Sequence, residues 1–113
     1  MLQAKGDKMD ESIKKQIEND INSNKIMVYM KGTPQSPECG FSKSIADVLT
    51  LHDAPYHFCN ILENPEIRQG IKEYSDWPTI PQVYVNGEFI GGCDVVLDFH
   101  NTGELKKILA GVK

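Results

Sequence analysis

The run Val83-Tyr84-Val85-Asn86-Gly87-Glu88-Phe89-Ile90 constrains the fold more than any other segment of the chain. Asn-Gly between two apolar, β-branched or aromatic runs specifies a two-residue type I′ turn. Both central residues must take positive φ, and the twist of that turn then matches the twist of the flanking strands. The chain therefore places an antiparallel pair near its C-terminal end. Gly91-Gly92 ends the pair. Asp94 reads as the cap of a final helical segment whose apolar face is Leu105, Ile108 and Leu109.

Upstream, Asp10 is an N-cap type, and Ile13, Ile17 and Ile21 recur every four residues as one stripe of a helix that Asn22-Ser23-Asn24 breaks. Ile26-Met27-Val28-Tyr29-Met30 is a short apolar run that predicts a buried strand. A loop rich in Gly, Pro and Ser (residues 31–38) leads into Cys39. Phe41, Ile45, Val48 and Leu49 then fall at helical spacing. Tyr56 to Ile61 predicts a second strand, and Asn64-Pro65 opens a helix with Asn64 as its cap, proline at its first position and Ile67, Ile71 and Tyr74 as its buried stripe. Trp77-Pro78-Thr79-Ile80-Pro81 is a stiff loop before the hairpin. The order α, β, α, β, α, β, β, α predicts an α/β chain: a small four-stranded mixed sheet with helices on both faces. Its first two strands are parallel through a right-handed crossover, and the strand holding Cys59 is expected at its centre. Residues 1–9 are polar and carry no pattern, so they read as a flexible N-terminal tail before a single domain over residues 10–113.

A length of 113 residues suits one domain with a real core, and 40% hydrophobic with 25% charged residues suits a globular protein. Twelve basic against sixteen acidic side chains give −4, a poor balance for a nucleic-acid binder. No apolar run approaches the roughly 18 residues of a membrane span. The first residues carry charges where a secretory signal needs an apolar stretch. Three cysteines, Cys39, Cys59 and Cys93, are too few for a disulfide framework. One chain also cannot supply the four thiolates of an iron–sulfur cluster. A reducing compartment follows, where each cysteine is a free thiol, a metal ligand or a nucleophile.

Cys39 falls at the start of a helix after a strand and a loop. Unpaired N–H groups there stabilise a thiolate and lower its pKa, and Lys31 at the head of the loop adds positive charge. Cys39 is either such a reactive thiol or a half-buried structural cysteine. Ser42 stands where a Cys-x-x-Cys redox pair would have its second thiol, so Cys39 has no resolving partner in this motif. Thr79-Ile80-Pro81 reads either as a turn or as a cis-proline segment whose Ile80 backbone pairs with an extended peptide. Gly91-Gly92-Cys93-Asp94 is either a hairpin end running into a helix or a turn whose amides hold a carboxylate while Asp94 accepts an ammonium group. Arg68 is either solvated or grips a carboxylate. Cys59 reads as packing. His57 would share its strand face, and His52 completes a conceivable zinc site whose spacing matches no common pattern. His100 reads as a surface residue near a helix end.

Taken in order, Lys31-Gly32-Thr33-Pro34, Cys39-Gly40-Phe41-Ser42, Trp77-Pro78-Thr79-Ile80-Pro81-Gln82, Asn86-Gly87-Glu88 and Gly91-Gly92-Cys93-Asp94 resemble the monothiol glutaredoxins over residues 10–110. The resemblance implies a thioredoxin-like fold with an extra N-terminal helix. It implies that Cys39 is both the reactive thiol and a ligand of a [2Fe–2S] cluster bridging two protomers, with two glutathione molecules giving the other thiolates. Lys31 and Arg68 would hold the glycine end of glutathione, Ile80 its cysteine, and Cys93 and Asp94 its γ-glutamyl end, with Phe41 shielding the site. It further implies cluster delivery to acceptor proteins. The alternatives are glutathione-dependent thiol–disulfide exchange through Cys39 alone and a regulatory module paired with a BolA-like protein. The expected location is a bacterial cytoplasm or, second, an organellar matrix, with no nucleic-acid or membrane partner.

Overall fold

The computed structural model describes residues 10–112, so the tail expected over residues 1–9 lies outside the described residues. Nine elements follow in order: α1 (Glu11–Ser23), β1 (Ile26–Met30), α2 (Gly40–Leu51), β2 (His57–Asn60), α3 (Pro65–Ser75), β3 (Gln82–Val85), β4 (Glu88–Gly91), α4 (Cys93–Thr102) and α5 (Glu104–Ala110). The four strands form one mixed sheet in the order β2-β1-β3-β4. β1 pairs parallel with β2 and antiparallel with β3. The hairpin closes as its sequence demands: Asn86 and Gly87 have φ of 52° and 84°, and Val85 faces Glu88 across the turn.

Alternation along β1 builds two cores. Ile26, Val28 and Met30 pack with Ile45 and Leu49 of α2, Val96 of α4 and Leu105 of α5. Met27 and Tyr29 face the other way, against Ile17 and Ile21 of α1 and Ile67 and Ile71 of α3. Helices therefore cover both faces, and the N-terminal stripe lies where its spacing put it. The Asp10 side chain caps α1 by accepting the Ser12 N–H at 3.1 Å.

Four local expectations are corrected. β2 is an edge strand, so Cys59 is half-buried at the rim of the second core instead of central. Asn64 makes no side-chain cap; its amide turns back to the Asn60 carbonyl at 3.0 Å, while Pro65 still opens the helix. Asp94 is not a cap either, because the helix starts one residue earlier, at Cys93, with Gly92 as its N-cap. The final helical segment is two helices, divided at Gly103, whose left-handed backbone (φ 89°) turns the chain.

The loop from β1 to α2 is fastened at its base. Lys31 O accepts the Glu38 N–H at 3.0 Å, and a β-bridge joins Gly32 to Pro37. Gly32 has φ of +89°, and a Cβ there would fall 2.6 Å from Glu38 N and from Ser36 O, so only glycine lets the strands of the loop close. Asn60, at the end of β2 and almost fully buried, holds this base to the sheet: its Oδ1 accepts N–H bonds from Gly32 at 2.9 Å and Leu62 at 3.0 Å. Asn60→Ala leaves two N–H groups without their acceptor, and about 2 kcal/mol of stability should be lost in urea unfolding. A change under about 0.5 kcal/mol, the range of an ordinary surface substitution, would show that Asn60 does not anchor the loop.

Candidate functional site

Cys39 is the N-cap of α2, with extended backbone and its carbonyl accepting the Lys43 N–H at 2.9 Å. Its side chain makes no capping bond and is half-exposed. Partial burial pushes its pKa up. The N–H groups of Ser42 and Phe41, the charge of Lys31 and the Ser42 hydroxyl pull it down further, and the result lies below the ordinary thiol value. The sequence placed this thiol at a helix start, and the backbone there supplies the stabilisation expected of one.

Ser42 is completely buried, and its Oγ accepts the Lys31 N–H at 3.0 Å. The hydroxyl in the position of a second redox thiol is thus a structural tie between β1 and α2. The Lys31 charge is the nearby cation that acts on Cys39. Lys43, one turn along, is paired with Asp47 at 2.8 Å in an exposed ion pair worth little to stability.

A groove of about 260 Å³ opens beside this helix start, lined by Phe41, Trp77, Thr79, Ile80, Pro81 and the Gly92–Val95 stretch. The Ile80–Pro81 peptide is cis, the second of the two readings of that segment. Phe41 is 61% exposed, so it is a wall of the groove and not part of the buried stripe of α2 that begins at Ile45. Cys93 is buried, and its pKa is raised first by that burial, then by the charges of Asp94 and Cys39, against a lowering bond from Ser44. Cys39, Lys31, Cys93 and Asp94 therefore share one electrostatic neighbourhood, and Ile80 lies on the groove. Arg68 is exposed in the first turn of α3; like Lys31 and Cys39, it is not among the residues that line the groove itself.

Trp77 and Thr79 line the groove although the residue-level reading gave neither a binding role; the only signal for them was their place in the Trp-Pro-Thr-Ile-Pro-Gln run. The histidine–cysteine cluster does not form. His52 instead meets His100, ring nitrogen to ring nitrogen at 2.9 Å, which also brings His100 off the open surface. Among the described residues no group of three or more His, Cys, Asp or Glu side chains is placed to hold a metal ion. Cys59 is pushed up to about 11 by burial and then by Asp20, the mark of an inert thiol. Among the described residues no helix is long and apolar enough to cross a membrane.

The glutaredoxin family model matches residues 26–90, from the first residue of β1 to within β4. An uncharacterised ycf64-like monothiol glutaredoxin of Synechocystis is 48% identical over 101 residues, covering 89% of this chain and 94% of its own. The mitochondrial monothiol glutaredoxin-S15 of Arabidopsis thaliana is 46% identical over 102 residues, covering 90% of this chain and 60% of its own length. Among solved structures, reduced apo GrxS14 of poplar superposes with a TM-score of 0.75 at 45% identity, covering 84% of this chain and 87% of that one. With its parallel β1–β2 unit, cis-proline and closing hairpin, the fold is thioredoxin-like, and the chain belongs to the glutaredoxin family, among its monothiol members.

Proposed function

We propose that this protein binds glutathione in the groove beside Cys39 and, as a pair of protomers, holds a [2Fe–2S] cluster as cargo for acceptor proteins. The observation that carries this reading is a single low-pKa thiol at the start of α2 with no second thiol behind it, because Ser42 is buried and engaged with Lys31. One chain offers one such thiolate, so the remaining sulfurs of a four-thiolate shell come from a second copy and from two glutathione thiols. In this reading Lys31 faces the glycine carboxylate of the peptide, the Ile80 backbone pairs with its cysteine, and the first turn of α4 at Cys93 and Asp94 receives its γ-glutamyl end. Arg68, exposed in the first turn of α3, is assigned with Lys31 to the glycine end. Phe41 covers the cluster side.

Anaerobic reconstitution with iron, sulfide and glutathione tests the cluster reading. A sulfide-to-iron charge-transfer band and a glutathione-dependent dimer are expected in the wild type, and both should vanish in Cys39→Ser. A full cluster in Cys39→Ser removes Cys39 as ligand, and no band in the wild type removes the reading.

The lowered pKa of Cys39 also favours a second reading, removal of glutathione from protein thiols. The Cys39 thiolate attacks the glutathione sulfur of a mixed disulfide, and the protein thiolate leaves. A second glutathione thiolate then attacks the Cys39–glutathione disulfide, which releases oxidised glutathione and restores Cys39. Both readings need the thiolate, so its titration is the shared test. Alkylation by iodoacetamide, followed residue by residue, should show Cys39 titrating below the ordinary value of about 8.5, with Cys59 silent until about pH 11. Lys31→Ala should move the Cys39 midpoint upward. Stability must follow the same linkage: a thiolate favoured in the folded state stabilises fully above the unfolded pKa, and this contribution fades as pH falls through the folded pKa. The stability gap between wild type and Cys39→Ser should therefore widen as pH rises from 7 towards about 8.5. A gap that does not change with pH contradicts a depressed pKa.

A further inference from the structure

Trp77 is the only tryptophan of the chain, and it is held more firmly than an exposed side chain requires. Its N–H donates to Lys72 O at 3.2 Å and to Ser75 Oγ at 3.1 Å. Its carbonyl accepts from Gln82 Nε2 at 3.1 Å. Gln82 is itself fully buried; the same amide donates to Thr79 O at 3.2 Å, and its Oε1 accepts the Tyr84 hydroxyl at 3.0 Å. The indole leans on Phe89, with ring centroids 5.9 Å apart. Backbone and ring are thus both fixed, and 38% of the residue remains open on the groove wall.

The indole nitrogen points into a notch. Gly92 lacks a side chain there, and a Cβ on it would sit 3.2 Å from Trp77 Nε1, 3.2 Å from Pro81 O and 4.0 Å from Thr79 Oγ1. Among the described residues, the hydrogen bonds of Trp77 all run through its backbone, so its indole N–H is left without an acceptor. An indole N–H can only donate. The notch adjoins the first turn of α4, whose N–H groups carry partial positive charge. A fixed donor beside such a helix start, in a space kept open by glycine, suits an oxygen of negative charge.

We propose that Trp77 is a specificity residue of the groove: its indole N–H donates to the α-carboxylate of a γ-glutamyl peptide seated against Gly92 and the first turn of α4. The inference rests on the glutathione reading above and adds to it the residue that distinguishes a γ-glutamyl end from an ordinary peptide. The γ-linkage leaves an α-carboxylate free at that end, and the Pro81 carbonyl in the same notch is an acceptor for its α-ammonium group.

The single indole gives one side-chain N–H signal in a ¹⁵N–¹H spectrum of the reduced, full-length wild type. Titration with glutathione should move that signal downfield together with the Cys93 and Asp94 amides, whereas cysteinylglycine, which lacks the γ-glutamyl residue, should leave it in place. Trp77→Phe keeps the ring on Phe89 and removes the donor. It should weaken glutathione about tenfold, the usual cost of losing a hydrogen bond to a charged group, with cysteinylglycine affinity unchanged. Gly92→Ala, which fills the notch, should show the same selective loss. An indole signal that stays still while the Cys93 and Asp94 amides move overturns the role of Trp77 and leaves glutathione binding intact. So does equal weakening of both peptides by Trp77→Phe. A wild type that moves no groove signal with glutathione overturns the glutathione reading itself.

Discussion

The Ser42 hydroxyl holds the working end of this molecule together. By accepting the Lys31 N–H it fastens the end of β1 to the first turn of α2, with Ser42 itself fully buried. A thiol in its place is a weak acceptor and would leave that N–H poorly paired. The same hydroxyl acts on Cys39, three residues back. The one hydroxyl therefore ties the head of the loop to the first turn of α2 and adds to the lowering of the Cys39 pKa that the Ser42 and Phe41 N–H groups and Lys31 produce. Serine in place of a second cysteine therefore serves the structure of this loop and also leaves Cys39 without a thiol partner in its motif.

The rest of the site is arranged around that tie by side chains that hydrogen-bond backbone. Asn60 binds the loop base to the end of β2, and Gln82 binds the Trp77–Thr79 segment to the start of β3. Both are buried polar residues whose bonds go to otherwise unpaired loop groups, the arrangement that makes irregular backbone tolerable inside a protein. The loop before Cys39 and the Trp77–Thr79 wall of the groove are thus supported independently, one from each side of β1. Rigid loops of this kind reduce the ordering cost of binding a small flexible peptide.

Much of this was legible in the sequence because it is written in local chemistry. Asn86-Gly87 specified its turn, Asp10 its cap, Ile17 and Ile21 their stripe, and the β1–α2–β2 order a parallel pair. What escaped depends on groups distant in the chain. The position of β2 at the sheet edge follows from β3 taking the other side of β1, which no residue in β2 announces. Phe41 stands four residues before Ile45, yet it is 61% exposed, on the wall of the groove and not in the core. Asn64 has the right type for a cap, but its Nδ2 donates back to the Asn60 carbonyl and its Oδ1 accepts no N–H of the helix. Gly103 is a helix terminator by type, and the apolar spacing that runs on past it concealed the break. Trp77 looked like loop stiffening because its donor matters only once Gly92 is opposite it.

The three cysteines show why residue type alone could not assign their roles. Cys59 sits beside Asp20 at the rim of a core, and burial with that negative charge keeps it protonated. Cys93 begins α4 and would be expected to share the advantage of Cys39 at the start of α2. It does not, because it is more deeply buried, and Asp94 and Cys39 both present negative charge to it. The two thiols are coupled: once Cys39 ionises, its charge makes a second thiolate in the groove more costly. Of the two thiols, Cys39 is therefore the more easily ionised and Cys93 the less. That division leaves Cys93 as lining of the groove and Cys39 as the more acidic thiol beside it.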